Sequence, residues 1–571
     1  MKNYKKTITL LALSAALLST AGIIAQREIV ANAEEETPAV GCYMLEQTDA
    51  LGRKVTVPVE FDGETYILAD YTRNIFVYNG KSATSLNDVV LNTQKYPTFT
   101  SKDGVFTDAI AISLYYNLVT AYDFYCEENI GRDYKGLNGK NDDIAGNWKS
   151  NGEIPLYVFV HFNADGYQYN AAFTSFNNEG YMIVGDGHPT NTVYDMHQQA
   201  TALDIIAHEY QHGITHFMIK DLVAEGETGA MDEGISDIFG MLIENKDPFS
   251  DENGFWTVGE DCAVTGTPLR SISDPKSIDE RYPMSLDEKW ECKWHRSGKH
   301  DSYCDYNYVH WNSTIVSHLM YTAWEIAPQF FTRENMARLW FNALPHLNAN
   351  ATFQNLRYAL QLSAEEQNFD EAAINVLNYS FYINGFTNEE MFKVTFLDED
   401  GTVLYTMATT RGGTVEVPDP VKESTEQYNY VFKGWDQKTN FVLEDMIVTA
   451  IFEEELRFYT VQFVYEDGSL IREITLPYGS EIAAPFKPTM ASTEEYDYIF
   501  VGWRGLSGIV TSDRTVEALF EAQPIEKMLD LGDNDNDTNL PLVIGLAAGV
   551  GVGILIVAAV GTVLFVKRKK G

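Results

Sequence analysis

The hydrophobic positions of this chain follow three different patterns. Near its start, an uncharged run over 7–25 follows three lysines and leads to the small residues of a signal-peptidase site that ends at Ala33. Near its end, residues 542–566 form an uncharged and mainly apolar run, and a basic tail over 567–571 follows at once. We therefore predict a signal peptide over 1–33, with an uncleaved anchor helix as the alternative, and a transmembrane helix over 542–566.

The predicted membrane helix also predicts the orientation of the chain. Because Lys and Arg stay on the cytoplasmic side, we expect a single pass through the cell membrane, with everything between Ala33 and Leu540 outside the cell. Gly545, Gly549 and Gly553 recur every four residues, a spacing that lets two such helices approach closely. A dimer through this helix is one expectation, and the ordinary glycine content of membrane spans is the alternative.

The third pattern is an alternation of apolar and polar residues that repeats once. The repeated segments are 392–401 with 459–468, and 428–435 with 496–503. Alternation and Asp-Gly turns predict two small β-domains of four or five strands each, over 390–454 and 455–522. They resemble the internalin-type B repeats of bacterial surface proteins, which implies a stalk and leaves their ligand unknown. Residues 523–540 are predicted to be an acidic linker.

Composition narrows the classes of function. At 571 residues the chain is long enough for about two to four domains. Its 82 acidic and 41 basic side chains give a net charge of −41, which repels phosphate backbones and argues against nucleic acid as a partner. Five cysteines are too few for a disulfide scaffold. These properties suit an exported protein or one that binds cations.

The most informative segment is a helix-compatible run that leads to two histidines four residues apart. Residues 201–207 contain no Gly or Pro, and His208, Glu209 and His212 follow. Residues i and i+4 share a helix face, so both imidazoles can reach one zinc ion while the glutamate between them reaches the water that the metal binds. An ordinary core or surface position is the alternative for each histidine.

A second segment supplies the third ligand that a hydrolytic zinc site needs. Glu233 follows His212 by 21 residues, in a string over 229–240 that closely resembles the third-ligand helix of the thermolysin family of metallopeptidases. Further segments match in family order: 305–313 around His310, 268–275 around Arg270, and Asn170-Ala171. The resemblance runs from about 42 to 386. It implies an α+β domain of two lobes, β-rich at the N-terminal side and helical at the C-terminal side.

The resemblance implies a role for each matched residue. His208, His212 and Glu233 would hold one catalytic zinc ion, Glu209 would be the general base, and His310 would stabilise the oxyanion. Asp237 would orient His208, and Asp305 would orient His310. Arg270 would hold a substrate carbonyl. Asn170 and Ala171 would pair with the substrate backbone. The pocket for the residue after the scissile bond would be formed by Ile205, Val258, Cys262 and Leu269, so a bulky apolar side chain is expected there.

The resemblance also implies a structural calcium site. Its carboxylates would be Asp204, Glu244, Asp247 and Glu260. We expect one calcium ion rather than two, because Thr257 stands where the family has a further carboxylate. A solvated acidic surface is the alternative.

The chain departs from the family pattern at two places that affect catalysis. Nine residues before Glu233, where the family has an oxyanion tyrosine, stands Ala224, so His310 and Arg270 would carry more of that task. The segment between Asp274 and His310 is longer than in the family and contains Cys292 and Cys304, which would form either a disulfide-tied lid or a plain surface loop.

Together these patterns predict a zinc metalloendopeptidase that is anchored on a Gram-positive-like cell surface and hydrolyses peptide bonds of extracellular proteins. One alternative is a surface adhesin whose protease-like domain is catalytically impaired, as the missing tyrosine would suggest. Another is a zinc hydrolase of cell-wall peptides, which would share the catalytic residues and differ in the cleft.

Overall fold

The computed structural model of the chain describes residues 38–127, 130, 137, 154–187, 198–245, 255–263, 266–293 and 302–526. The predicted signal peptide, the predicted membrane helix with its basic tail, most of the predicted acidic linker, and Asp247 lie outside these residues. Within the described part of the chain, no helix is both long and apolar enough to cross a membrane. The described residues separate into two compact units, one within 38–423 and 430–455 and the other with 424–429 and 456–526.

The N-terminal part of the first unit is built on two sheets. Its strands are β1 (Gly41–Thr48), β2 (Lys54–Phe61), β3 (Tyr66–Ile67), β4 (Ala69–Asp70), β5 (Ile75–Asn79), β6 (Thr100–Ser101), β7 (Leu156–Val160), β8 (Ala171–Phe176) and β9 (Glu179–Val184). The sheets have the strand orders β1-β2-β3-β6 and β4-β5-β7-β9-β8. Strands β5, β7 and β9 are parallel and covered on both faces, with Val158 in the main core and Phe159 in a smaller cluster. Strand β8 is antiparallel to β9 and forms the edge of its sheet.

The rest of the first unit up to residue 386 is mainly helical. The described helices are α1 (Leu86–Leu91), α2 (Ala109–Tyr125), α3 (Leu203–Met218), α4 (Gly226–Glu244), α5 (Pro275–Ile278), α6 (Asp305–Ile326), α7 (Arg333–Ala343), α8 (Phe353–Glu366) and α9 (Glu371–Ile383), with the short strands β10 (Thr257–Val258) and β11 (Arg270–Ser271) between them. Helix α3 contacts β8 on one side and α4 on another, and α4 also packs on α6. At Gly234 the helices α4 and α6 meet backbone to backbone, since a Cβ there would lie 2.6 Å from the Ser313 carbonyl oxygen. This arrangement confirms the predicted α+β class.

The first β-repeat continues directly from the helical part. Its strands β12 (Met391–Leu397), β13 (Val403–Thr410), β14 (Tyr428–Trp435) and β15 (Met446–Leu456) have the order β13-β12-β15-β14. Strands β12 and β15 are parallel, with Val394 opposite Met446. Met391 and Ala408 belong to the same hydrophobic core as Phe386, and α9 packs on β12 and β13. The first repeat therefore shares its core with the preceding domain.

The second unit repeats this sheet. Its strands are β16 (Phe458–Val464), β17 (Leu470–Pro477), β18 (Tyr496–Arg504) and β19 (Arg514–Pro524), in the equivalent order β17-β16-β19-β18. Trp503 packs edge-on against Phe463 at 5.1 Å between ring centroids, as Trp435 packs against Phe396 at 4.8 Å in the first repeat. The tryptophan of each repeated Gly-Trp pair thus packs against the hydrophobic core of its own sheet.

All five cysteines lie in the described residues, and none is joined to another by a disulfide bond. Cys292 and Cys304 stand on either side of residues 294–301, which lie outside the described residues. The structure thus has no disulfide bond between Cys292 and Cys304.

Candidate metal centre and cleft

Two adjacent helices bring three metal-ligating side chains together. His208 and His212 lie one turn apart on α3, and Glu233 faces them from α4. The two Nε2 atoms are 3.0 Å apart, and the Glu233 carboxylate oxygens lie 3.5 Å from His208 Nε2 and 3.6 Å from His212 Nε2. Tetrahedral zinc with ligands at about 2.0–2.1 Å separates its donors by roughly 3.3 Å. The donor set and its spacing therefore fit one zinc ion.

The outer nitrogen of His208 lies beside a buried ion pair. Nδ1 of His208 lies 3.0 Å from Asp237 Oδ1. Asp237 also accepts two hydrogen bonds of 2.6 Å from Nε and Nη2 of Arg270. Burial alone would raise the pKa of Asp237, but the Arg270 guanidinium and His208 together hold that pKa below its usual range. The predicted carboxylate at Asp237 is in place, and the structure adds its link to Arg270.

His212 has a carboxylate partner that the sequence analysis missed. Its Nδ1 lies 2.8 Å from Asp232 Oδ2 and 3.2 Å from Ser236 Oγ. The feature of the sequence that could have revealed this partner is the position of Asp232 directly before the third-ligand residue Glu233. Each histidine of the pair therefore faces its own aspartate, which orients the imidazole and favours Nε2 as the metal-facing atom.

Glu209 lies beside the three donors and faces the same cavity. It is buried, and burial raises its pKa above the usual range while the nearby histidines pull it down. The carboxylate also accepts a backbone hydrogen bond from Phe173 on β8. A carboxylate with a raised pKa next to a metal position is suited to taking up a proton.

His310 reaches this centre through an unusual backbone turn. Four consecutive residues without glycine, Asp305, Tyr306, Asn307 and Tyr308, have φ between 49° and 73° at the start of α6. Such left-handed conformations cost roughly 1–2 kcal/mol per residue. The turn returns Asp305 to His310, so that its carboxylate accepts bonds from the His310 backbone N at 3.0 Å and ring Nδ1 at 2.5 Å. The strained backbone therefore lies at the turn that lets Asp305 orient His310.

The other ring nitrogen of His310 points at the metal donors. Nε2 lies 3.3 Å from Glu233 Oε1, and the side chain is 51% exposed. The charge of Glu233 raises the pKa of His310, burial opposes this, and Asp305 adds to the increase. The imidazole is therefore inclined to hold a proton on the side that faces the cavity.

These side chains line a cavity of about 480 Å³ that runs along α3. Asn170, residues 171–175 of the edge strand β8, and Arg270 also line it. An exposed sheet edge can pair with an extended peptide. Ala224 also lines the cavity, so the place of the absent tyrosine is taken by a methyl group.

The predicted apolar pocket is only partly in contact with this cavity. Ile205 and Leu269 line it. Val258 and Cys262 are fully buried and are not among its lining residues.

A second acidic cluster lies at the N-terminal end of α3. Carboxylate oxygens of Asp204, Glu244 and Glu260 all lie within 4.8 Å of one another. Burial and Glu260 raise the pKa of Asp204 to about 7, and burial and Asp204 raise that of Glu244 to about 9. Glu260 Oε2 is buried without a hydrogen-bond partner among the described residues. Carboxylates that crowd in this way fit a calcium ion, which would supply the missing positive charge.

Comparisons with known proteins agree with this geometry. The family model of the thermolysin metallopeptidase catalytic domain matches residues 46–216, and that of the thermolysin metallopeptidase alpha-helical domain matches residues 220–383. A bacillolysin from Brevibacillus brevis is 28% identical over 316 residues, which cover 53% of this chain and 50% of that protein. The thermostable neutral protease NprT from Geobacillus stearothermophilus is 27% identical over 332 residues, 55% of this chain and 52% of that protein.

A solved structure, the precursor of protealysin, a metalloproteinase from Serratia proteamaculans, matches with a TM-score of 0.41 and 22% identity over 55% of this chain and 87% of that one. The chain spans about half the length of the curated relatives it matches. The thermolysin family uses catalytic zinc and structural calcium, the two ions that the His/Glu and Asp/Glu clusters fit. With the matches over 46–216 and 220–383, the chain belongs to the thermolysin family of metallopeptidases.

Proposed function

We propose that this protein is a zinc-dependent endopeptidase that hydrolyses peptide bonds of extracellular proteins. The observation that carries the proposal is the convergence of His208, His212, Glu233 and Glu209 on one cavity. When bound by the first three side chains, zinc polarises the scissile carbonyl and makes a water molecule acidic enough to attack at neutral pH.

In this proposal Glu209 moves the proton. Its carboxylate takes the proton from the attacking water, and its raised pKa lets it hold that proton and pass it to the nitrogen of the leaving amine. His310, protonated on Nε2 and fixed through Nδ1 by Asp305, donates a hydrogen bond to the developing oxyanion. The substrate backbone lies along β8 from Asn170, and Arg270, which lines the same cavity, holds a substrate carbonyl.

A direct assay tests this function. The zinc-loaded protein should cleave casein, a chelator should abolish cleavage, and added zinc should restore it. Casein that stays intact with zinc bound would contradict the proposal and favour the alternative of a catalytically impaired adhesin. Cleavage of cell-wall peptides but not of casein would favour the alternative of a cell-wall hydrolase.

Calcium and location belong to the same proposal. We propose that Asp204, Glu244 and Glu260 bind one structural calcium ion, with Asp247 as a further ligand from outside the described residues. We also propose that the enzyme is held at the cell membrane by residues 542–566, with the metallopeptidase domain and both repeats extracellular; the sequence pattern supports this. Protease treatment of intact cells would remove the repeats if they are outside, and full protection would contradict this location.

A further inference from the structure

A buried histidine outside the metal centre bridges two aspartates. His161 follows β7 directly. Its Nε2 lies 3.0 Å from Asp108 Oδ2, and its Nδ1 lies 2.5 Å from Asp186 Oδ1. A neutral imidazole has one N–H and can donate to only one of two carboxylates, whereas the protonated imidazolium has two. The geometry therefore fits an imidazolium that donates to both aspartates.

The groups around the ring favour this charged form. Hydrogen bonds to Asp108 and Asp186 raise the pKa of His161 to about 9, although burial alone would lower it. The bond from His161 in turn lowers the pKa of Asp186. Burial would raise the pKa of Asp108, but His161 and a backbone amide hold it below its usual range. Two uncharged neighbours complete the surroundings: Phe99 packs near the ring, with 6.4 Å between ring centroids, and Asn163 donates to Asp186.

Both ends of the bridge lie on well-defined elements of the fold. Strands β7 and β9 are parallel, with Val160 opposite Val184, so His161 and Asp186 emerge at the same end of their sheet. Asp108 caps the N-terminus of α2, a helix whose buried residues belong to the main hydrophobic core. The bridge therefore ties the segment after β9 to a core helix.

The segment that contains Asp186 packs directly on the edge of the cleft. The glycine before Asp186 donates its backbone N–H to the Asn170 carbonyl oxygen at 3.0 Å, and the glycine after it donates to the Gln168 carbonyl oxygen at 2.7 Å. A Cβ on Gly185 would lie 2.2 Å from the Tyr167 carbonyl oxygen, so the two backbones touch. Asn170 lines the cavity and directly precedes β8. Holding Asp186 in place therefore holds Asn170 in place.

We infer that His161 is a positioning residue for the substrate: as an imidazolium it joins Asp108 to Asp186 and so fixes Asn170 at the edge of the cleft. As the pH rises through about 9, the ring gives up one of its two N–H protons, one of the two bonds is lost, and this edge of the cleft is released. The inference rests on the proposed endopeptidase function and adds a pH-dependent control of substrate affinity.

Substrate affinity should report the loss of the bridge, because Asn170 neither binds the metal nor moves the proton in the proposed reaction. His161→Asn removes the charge and suits the backbone of this position, where φ is 62° and Asn is better tolerated than most residues. At pH 7 the zinc-loaded full-length variant should cleave a fluorogenic peptide with KM raised about tenfold and kcat changed by less than about threefold. A KM within about threefold of the native value would overturn the assignment.

Asp108→Asn tests the bridge from its other end. Asn is also a good N-cap, so α2 keeps its cap while His161 loses one ionised partner. KM of the native protein should rise as the pH passes about 9, and in this variant the rise should move to lower pH. A rise at the same pH in both proteins would assign it to another group and refute the bridge. His346→Asn is the matched control, since it breaks a His–Glu contact of 3.1 Å whose residues do not line the cavity, and it should leave KM unchanged.

Two measurements do not depend on activity. In NMR spectra of the histidine-labelled, zinc-loaded full chain, the His161 signal, identified by its absence from His161→Asn, should titrate near pH 9. The backbone amides of 179–187 should exchange with deuterium faster in His161→Asn than in the native protein. If both results hold but no peptide is cut, the endopeptidase proposal fails and the bridge stands. If peptides are cut but His161 titrates near its ordinary value of about 6.5, or exchange is unchanged, the bridge fails and the endopeptidase proposal stands.

Discussion

Asp237 contacts both Arg270, with which it forms a buried ion pair, and the metal donor His208, so a substitution there should affect the stability of the protein and its zinc affinity. Its side chain is fully buried, that of Arg270 is 11% exposed, and the two share a bidentate ion pair. Asp237→Asn leaves the Arg270 charge buried without a counter-charge, and breaking a buried pair in this way costs about 3–5 kcal/mol. Because His208 loses its charged partner as well, zinc affinity should fall roughly 10- to 100-fold. Urea unfolding of the metal-free protein and a zinc titration measure the two effects separately.

The chain contains its own matched control for this experiment. Arg281 and Asp279 form the same bidentate contact, but their side chains are 59% and 30% exposed. Asp279→Asn should therefore cost at most about 1 kcal/mol and leave zinc affinity unchanged. If the two variants lowered the free energy of unfolding equally, burial would not be what makes the Asp237 pair costly to break, and the reasoning would be refuted.

Four further predictions follow from the site. Glu209→Gln should keep its zinc, measured by elemental analysis, and lose at least about 10²–10⁴-fold in kcat, while unchanged turnover would exclude Glu209 as the base. Removing calcium should lower the melting temperature because Asp204 and its neighbours then repel, and a melting temperature indifferent to calcium would argue against the ion. Mapped cleavage sites should show bulky apolar residues after the scissile bond, against Ile205 and Leu269; mostly charged residues there would contradict the pocket. In the metal-free protein, Asp237 and Glu233 raise the pKa of His208 to about 9, although burial alone would lower it. The protonated imidazole should therefore stabilise the fold fully below about pH 6.5, and this contribution should be lost as the pH rises through 9. Urea unfolding at a series of pH values measures this loss, and a free energy of unfolding that stays constant across the range would contradict it.

The sequence predicts the metal donors well because their spacing is local. His208 and His212 lie one helical turn apart, and a helix needs no tertiary information to place them on one face. The contact of Arg270 with Asp237 spans 33 residues and depends on how β11 packs near α4, which no local pattern specifies. Asp232, the partner of His212, stands directly before Glu233, so its contact was within reach of the sequence once the third-ligand helix had been recognised.

Two features of the fold could not be predicted from sequence patterns. Tyr306 and Tyr308 adopt positive φ, which propensity assigns to glycine or asparagine, and no local pattern specifies the hydrogen bonds between Asp305 and His310 that this turn makes possible. The shared core of α9 and the first repeat could not be predicted either, because apolar alternation shows that a strand has a buried face without showing which neighbour covers it.

The parallel pairing of β12 with β15 has a mechanical consequence. The chain enters the first repeat at the start of β12 and leaves it at the end of β15, and the two strands are in register from Val394 opposite Met446 to Leu397 opposite Thr449. A force that pulls these two ends apart loads the backbone hydrogen bonds between the strands in shear, so they must break together instead of opening one after another. The first repeat is thus built to bear tension, and because its core continues into α9, that load passes into the metallopeptidase domain without a flexible joint.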